Sequence, residues 1–129
     1  MSQSLVSLHV VVRWVVLASA VAAIVAIVVA KGRGGWDPSA HFWTQAYAWL
    51  LGIQSAIGIV LWVGQERWEG GDAFLSYIHP AVMLAMVGVA HGGLAHAYRS
   101  RDPRAANRRA LVVVSATLVI VLVTIPWFA

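Results

Sequence analysis

Four long apolar runs dominate this chain and constrain its fold more than any other feature. They cover about residues 5–30, 41–63, 73–98 and 106–128, and each reaches the ~20 residues that a helix needs to cross a ~30 Å hydrocarbon layer. They are too long for transmembrane β-strands and lack two-residue alternation. With 60% hydrophobic and 11% charged residues among 129, the composition also excludes a soluble globular domain. The sequence therefore predicts an integral membrane protein with four helices.

Short polar segments separate the four runs and predict their arrangement. They are rich in turn-forming glycine, proline and aspartate, and such short connections favour an antiparallel up-and-down bundle. We therefore expect an all-α fold, an integral membrane antiparallel four-helix bundle, in which residues 1–129 form a single transmembrane domain. The first run is too long for a secretory signal and Arg13 interrupts it, so we interpret it as a retained helix.

The charges of the connecting segments predict the orientation. The first and third segments are basic and the second is acidic. Because positive loops stay in the cytoplasm, we expect loops 1 and 3 to be cytoplasmic and both termini to lie outside. The net charge of +4 is then explained by the basic cytoplasmic loops, which set the orientation in the membrane. Nucleic acid is therefore not an expected partner. The basic residues of the first and third segments are Lys31, Arg33, Arg99, Arg101, Arg104, Arg108 and Arg109; the charged residues of the second are Glu66, Arg67, Glu69 and Asp72.

Two histidines occupy matching positions in different runs. His9 lies near the start of the first run and His79 near the start of the third. Both runs begin on the outer side, so at ~1.5 Å per residue the two rings lie within a few Å of the same depth. Two such imidazoles can serve as the axial ligands of one haem b. The chain contains no cysteine, which excludes thiolate metal sites and covalent c-type haem.

The neighbours of these histidines suit a haem. Arg13 lies one helical turn after His9 and can pair with a propionate. Methionines on the His79 face can contact a porphyrin edge, and the small residues after them permit close helix contact. Each also has an ordinary interpretation: histidine as a hydrogen-bonding residue between helices, arginine extended to the head groups, methionine as core packing. The residues on the His79 face are Met83, Met86, Ala90 and Gly93.

The three remaining histidines do not suggest a second haem. His91 and His96 face roughly 120° and −100° away from His79 on the same helix and ~140° from each other. His41 lies at about the depth of His96, which makes that pair the best remaining option. We expect one haem only, and expect these histidines to bond to loop carbonyls or to contact a neighbouring subunit.

Three short motifs resemble a known family. The first helix starts with Leu-His-x3-Arg-Trp (residues 8–14), the third with His79-Pro80, and the chain ends with Ile-Pro-Trp (125–127). This combination resembles small bacterial four-helix membrane proteins labelled cytochrome b-like, and the similarity covers the whole chain. The resemblance implies a bacterial inner-membrane location and haem ligation by the two histidines. Where family members often have an acidic residue before His-Pro, this chain has Ile78.

These features predict one-electron transfer between membrane quinol, or a neighbouring redox subunit, and an acceptor outside. Without a soluble domain, the chain is expected to be a subunit of a larger redox complex in contact with membrane lipid, more than a stand-alone enzyme. The acidic residues all lie in loops or at the ends of the runs, which argues against a proton pump. One alternative is a cofactor-free accessory subunit of a respiratory or photosynthetic complex. A further alternative is a pigment- or quinone-binding subunit that uses the same histidines.

Overall fold

The computed structural model describes residues 3–66 and 69–125, without the side chains of Leu75 and Ser76. In this part of the chain four α-helices form, and each is long and apolar enough to cross a membrane. The all-α prediction is therefore confirmed. Arg67 of the acidic segment and Pro126 and Trp127 of the terminal motif lie outside the described residues. The helices are α1 (Gln3–Gly32), α2 (Pro38–Gly64), α3 (His79–Tyr98) and α4 (Pro103–Thr124).

Helices α2 and α4 each begin three residues earlier than the apolar runs predict. Helix α2 starts at Pro38, where residue 41 was expected, and α4 starts at Pro103, where residue 106 was expected. Both are preceded by an aspartate whose carboxylate accepts a backbone N–H, at 2.9 Å for Asp37 and 3.0 Å for Asp102. An Asp cap followed by proline in the first turn starts a helix efficiently, because proline has no N–H that would need a partner. Asp-Pro therefore adds a polar first turn to each apolar run.

A π-helical turn, Phe74–Ile78, leads directly into α3. The His79 N–H bonds to the Phe74 carbonyl five residues back. Pro80 follows, and its ring would clash with the carbonyl four residues before it in a regular α-helix. The wider π turn relieves this clash, and such turns are frequent at functional sites. It also brings the Phe74 ring to 5.9 Å from the His79 ring, centroid to centroid.

The four helices pack as a ring. Helix α1 packs mainly on α2 and α4, and α3 packs mainly on the same two neighbours. Helices α1 and α3 therefore face each other diagonally across the bundle. Close contact depends on small residues: a Cβ at Gly93 would lie 2.7 Å from a methyl carbon of Val113 on α4, as the small end of the His79 face predicts. Fully buried alanines line α1 in the same way.

The end of the bundle that holds the two basic connections, here called the basic end, is tightly joined. Gly35 has φ +125°, and a Cβ there would lie 2.7 Å from the backbone carbon of Pro103. The buried Asn107 amide donates to the carbonyls of Ile27, at 2.9 Å, and Gly35, at 3.4 Å. The loop before α2 is thereby held against the first turn of α4.

Candidate cofactor site

The opposite end, here called the histidine end, encloses a cavity of about 210 Å³. All four helices line it, so it lies on the axis of the bundle. Its walls are largely apolar, with a few convergent polar groups, as in a small-molecule site. The residues that line the cavity include His9, Arg13, Gln54, Ser55, Gly58, His79, Met83, Val121 and Ile125.

His79 is held in a defined orientation at this cavity. Its Nδ1 lies 2.8 Å from the carbonyl oxygen of Thr124, which is free of helical bonding because α4 ends at that residue. A carbonyl only accepts, so Nδ1 carries the proton and donates. In the neutral ring Nε2 then keeps its lone pair. A backbone carbonyl on the distal nitrogen is the usual way that proteins fix a metal-binding histidine.

His9 faces the same cavity from α1. Its carbonyl accepts a hydrogen bond from Gln54 Nε2 at 2.8 Å, and the Gln54 amide also lies beside its imidazole. Gly58 makes room for the ring, because a Cβ there would lie 3.2 Å from His9 Cε1. Helix α2 therefore positions both the backbone and the ring of His9.

Arg13 also lines the cavity, one turn from His9. Its guanidinium carbon lies 5.4 Å from the centroid of the Trp14 ring, a cation–π contact that offsets part of the cost of a charge inside an apolar helix.

Three uncharged polar atoms around the cavity have no hydrogen-bond partner among the described residues. They are His9 Nδ1, Gln54 Oε1 and Ser55 Oγ. Gln54 and Ser55 are 4% and 6% exposed, and burying an unpaired polar group costs free energy. The sequence prediction did not include these two residues. A Gln-Ser pair in the middle of an apolar run is the signal that would have found them, because polar residues inside a membrane span are usually functional.

The two predicted methionines have different positions. Met83 is buried and lines the cavity. Met86 packs against the hydrophobic core and lies outside the cavity lining. The two share a helix face, but Met86 is a further ~4.5 Å along the axis, below the cavity floor.

The other histidines lie elsewhere. His41 packs on the Tyr98 ring at 4.5 Å, and the His91 ring is 5.3 Å from that of Trp49, both between centroids. His96 is exposed. It comes two residues before Tyr98, so it lies about 200° around the helix from the ring that His41 contacts. Among the described residues, no group of three or more His, Cys, Asp or Glu side chains gathers as a metal site. The pair His9 and His79 is a different arrangement, with two ligands from diagonal helices.

Comparison with known proteins returned no relatives. No protein-family model matches the chain, and no curated protein or solved structure matches it significantly.

Proposed function

We propose that this chain is a membrane b-type cytochrome-like electron-transfer protein with one haem b between α1 and α3. The observation that carries the proposal is that His9 and His79, from diagonal helices, line one cavity, with the Nδ1 of His79 engaged by Thr124. That bond leaves Nε2 of His79 as the nitrogen able to bind a metal. In the family that the motifs resemble, an acidic residue often precedes His-Pro; this chain has Ile78 there, and the Thr124 carbonyl orients the ring.

The chain's own residues have distinct roles in this proposal. His9 and His79 would hold the haem iron, while Gln54 and Gly58 position the His9 ring. Arg13 offers a cation for a propionate, which would reduce the cost of its own burial. Met83 supplies a polarisable contact for the macrocycle edge. When bound, the haem supplies one-electron redox chemistry, while the protein supplies position, ligands and low dielectric.

The two histidines are suitable ligands for a haem, but the cavity between them is small. At about 210 Å³ the cavity falls below the ~300–1,000 Å³ of typical ligand pockets. Val10 and Leu84, which border it, are 40% and 52% exposed, so its rim reaches the bundle surface. The proposal therefore requires α1 and α3 to move apart at the histidine end when haem binds.

The proposal includes a membrane setting. Four apolar helices with basic first and third connections support an antiparallel, multi-pass bundle in a bacterial inner membrane, with loops 1 and 3 cytoplasmic. The haem then lies near the outer leaflet. Its electron partner is membrane quinol or a neighbouring redox subunit, because the chain has little surface outside the lipid for other partners.

The decisive experiment is a reduced-minus-oxidised absorption spectrum of the purified chain, expressed with a haem supply. We expect a sharp α-band that is lost in both His9→Ala and His79→Ala. His91→Ala is the matched control, since it removes a histidine of α3 outside the cavity, and it should keep the band. A stably folded, colourless wild-type protein would overturn the proposal.

The small cavity favours a second candidate, a cofactor-free accessory subunit of a larger membrane complex. In that case His79, Thr124, His9 and Gln54 serve only to join helices. Such a protein would stay colourless and would co-purify with a redox complex, and His79→Ala would weaken its folding without any spectral change.

A further inference from the structure

A second recess lies on the surface of the bundle, between α1 and the start of α2 at the basic end. It is a groove of about 370 Å³, separate from the histidine cavity. One face of α1 forms its apolar floor, and the end of the groove at the connection between α1 and α2 is polar. The groove is lined by Ala22, Val25, Ala26, Val29, Arg33, Asp37, Ser39 and Trp43.

The dimensions of the groove match one leaflet. Between Ala22 and Arg33 the chain advances about 16 Å at the helical rise, close to half of the ~30 Å hydrocarbon layer. Val25 and Val29 are 55% and 45% exposed, so apolar surface continues along this length. Trp43, at 37% exposed, suits the interfacial position that tryptophan favours. A lipid acyl chain is thus the natural occupant of the floor.

The polar end of the groove contains a cation, Arg33, and an anion, Asp37, and these two charges determine which lipid head group fits. The Arg33 guanidinium can bind a phosphate, and the Ser39 hydroxyl can donate to a phosphate or ester oxygen. Asp37 adds a carboxylate, of which one oxygen accepts the Ala40 N–H at 2.9 Å. A net-anionic head group would be repelled by Asp37, whereas a zwitterion places its phosphate near Arg33 and its cation near Asp37.

We propose that this groove binds one zwitterionic phospholipid with a primary ammonium, of the phosphatidylethanolamine type. Its ammonium has three N–H donors for the Asp37 carboxylate, whereas a choline nitrogen has none and a glycerol head group has no cation. The inference rests on the proposed membrane setting and is independent of the proposed haem.

The test is native mass spectrometry of the full chain released from mixtures of phosphatidylethanolamine, phosphatidylcholine and phosphatidylglycerol with identical acyl chains. We expect preferential retention of one ethanolamine lipid. Arg33→Gln should lower that retention about fivefold, as expected for loss of one cation at a membrane surface. Asp37→Asn should remove the preference for ethanolamine over choline, and because asparagine caps helices as well as aspartate does, α2 should remain intact.

Arg101→Gln is the matched control, because it removes an exposed arginine at the same end outside the groove, and it should bind as the wild type does. Equal retention of the three lipids, or equal losses in Arg101→Gln and Arg33→Gln, would overturn the proposal. A preference for phosphatidylglycerol that increases in Asp37→Asn would also overturn it, by identifying an anionic-lipid site. The haem spectrum of Arg33→Gln should be unchanged, so the outcome is separate from that of the haem proposal.

Discussion

The two ends of the bundle differ in whether their buried polar groups are hydrogen-bonded. Toward the basic end, Thr44 pairs with the Tyr98 hydroxyl at 2.7 Å. Asn107 donates to the carbonyls of Ile27 on α1 and of Gly35 in the following loop. At the histidine end, Gln54 Oε1 and Ser55 Oγ have no partner among the described residues. A membrane offers no water to satisfy such atoms. The buried polar groups toward the basic end thus join parts of the fold, and under our proposal those at the histidine end face the bound cofactor.

If the basic end secures the fold, the largest effect should come from Gly35→Ala. The substitution places a Cβ against the Pro103 backbone and at a φ that L-residues avoid, which should lower the free energy of unfolding by about 1–3 kcal/mol. Detergent–denaturant titration followed by circular dichroism measures this. Gly34→Ala is the control for φ alone, since φ there is +104° and no atom lies within 4 Å of the added Cβ. Equal losses in both variants would mean that the contact with Pro103 is unimportant.

Gln54→Leu tests whether α2 positions His9. Loss of the 2.8 Å bond to the His9 carbonyl should cost roughly 0.6–1.7 kcal/mol, and should also shift the midpoint potential of bound haem because the His9 ring loses its neighbour. Gln45→Leu is the matched control on the same helix, where the glutamine contacts Tyr98 instead. Its potential should equal that of the wild type. A potential unaffected by Gln54→Leu would limit Gln54 to packing.

Tyr47→Phe and Ser55→Ala compare a satisfied with an unsatisfied hydroxyl. Tyr47 is fully buried and bonds to the Thr117 hydroxyl at 2.8 Å. Loss of the Tyr47 hydroxyl should therefore destabilise the protein by about 0.6 kcal/mol. Removing the unpaired Ser55 hydroxyl should leave stability unchanged or slightly higher without a ligand. The same titration measures both variants. Equal destabilisation would contradict the proposed difference between bonded and unpaired buried hydroxyls.

Gly58→Ala is expected to have two opposing effects on stability. A Cβ at 3.2 Å from His9 Cε1 requires the ring to shift by a few tenths of an ångström, while alanine gains up to ~1 kcal/mol in helix propensity. Stability should therefore stay within about 1 kcal/mol of the wild type, while haem retention weakens. Gly88→Ala is the control, because no atom lies within 4 Å of its added Cβ. Unchanged haem retention in Gly58→Ala would show that the ring has room to spare.

The sequence was sufficient to predict the helices and to single out the two histidines that share the cavity. Hydropathy is averaged over many residues, so the four spans can be recognised. His9 and His79 lie about four and about six residues inside their apolar runs, which is close enough to pair them by depth. The missing parts depend on tertiary contacts. Thr124 acts through its backbone carbonyl, which no side-chain pattern reports, and Gly58 matters only because His9 lies opposite. Met86 shares the His79 face, but its position below the cavity floor depends on how deep the cavity extends.

The π turn before α3 has a consequence for how this protein tolerates change. A one-residue deletion within Phe74–Ile78 would convert the π turn to an α turn, and would restore the clash at Pro80 that the π turn relieves. The rotation of about 100° that one residue adds would then fall on the segment before the histidine. His79 would keep its direction, because the Thr124 carbonyl on α4 anchors its ring. The bond to Thr124 therefore opposes misalignment of the His79 ring when the length of this segment changes.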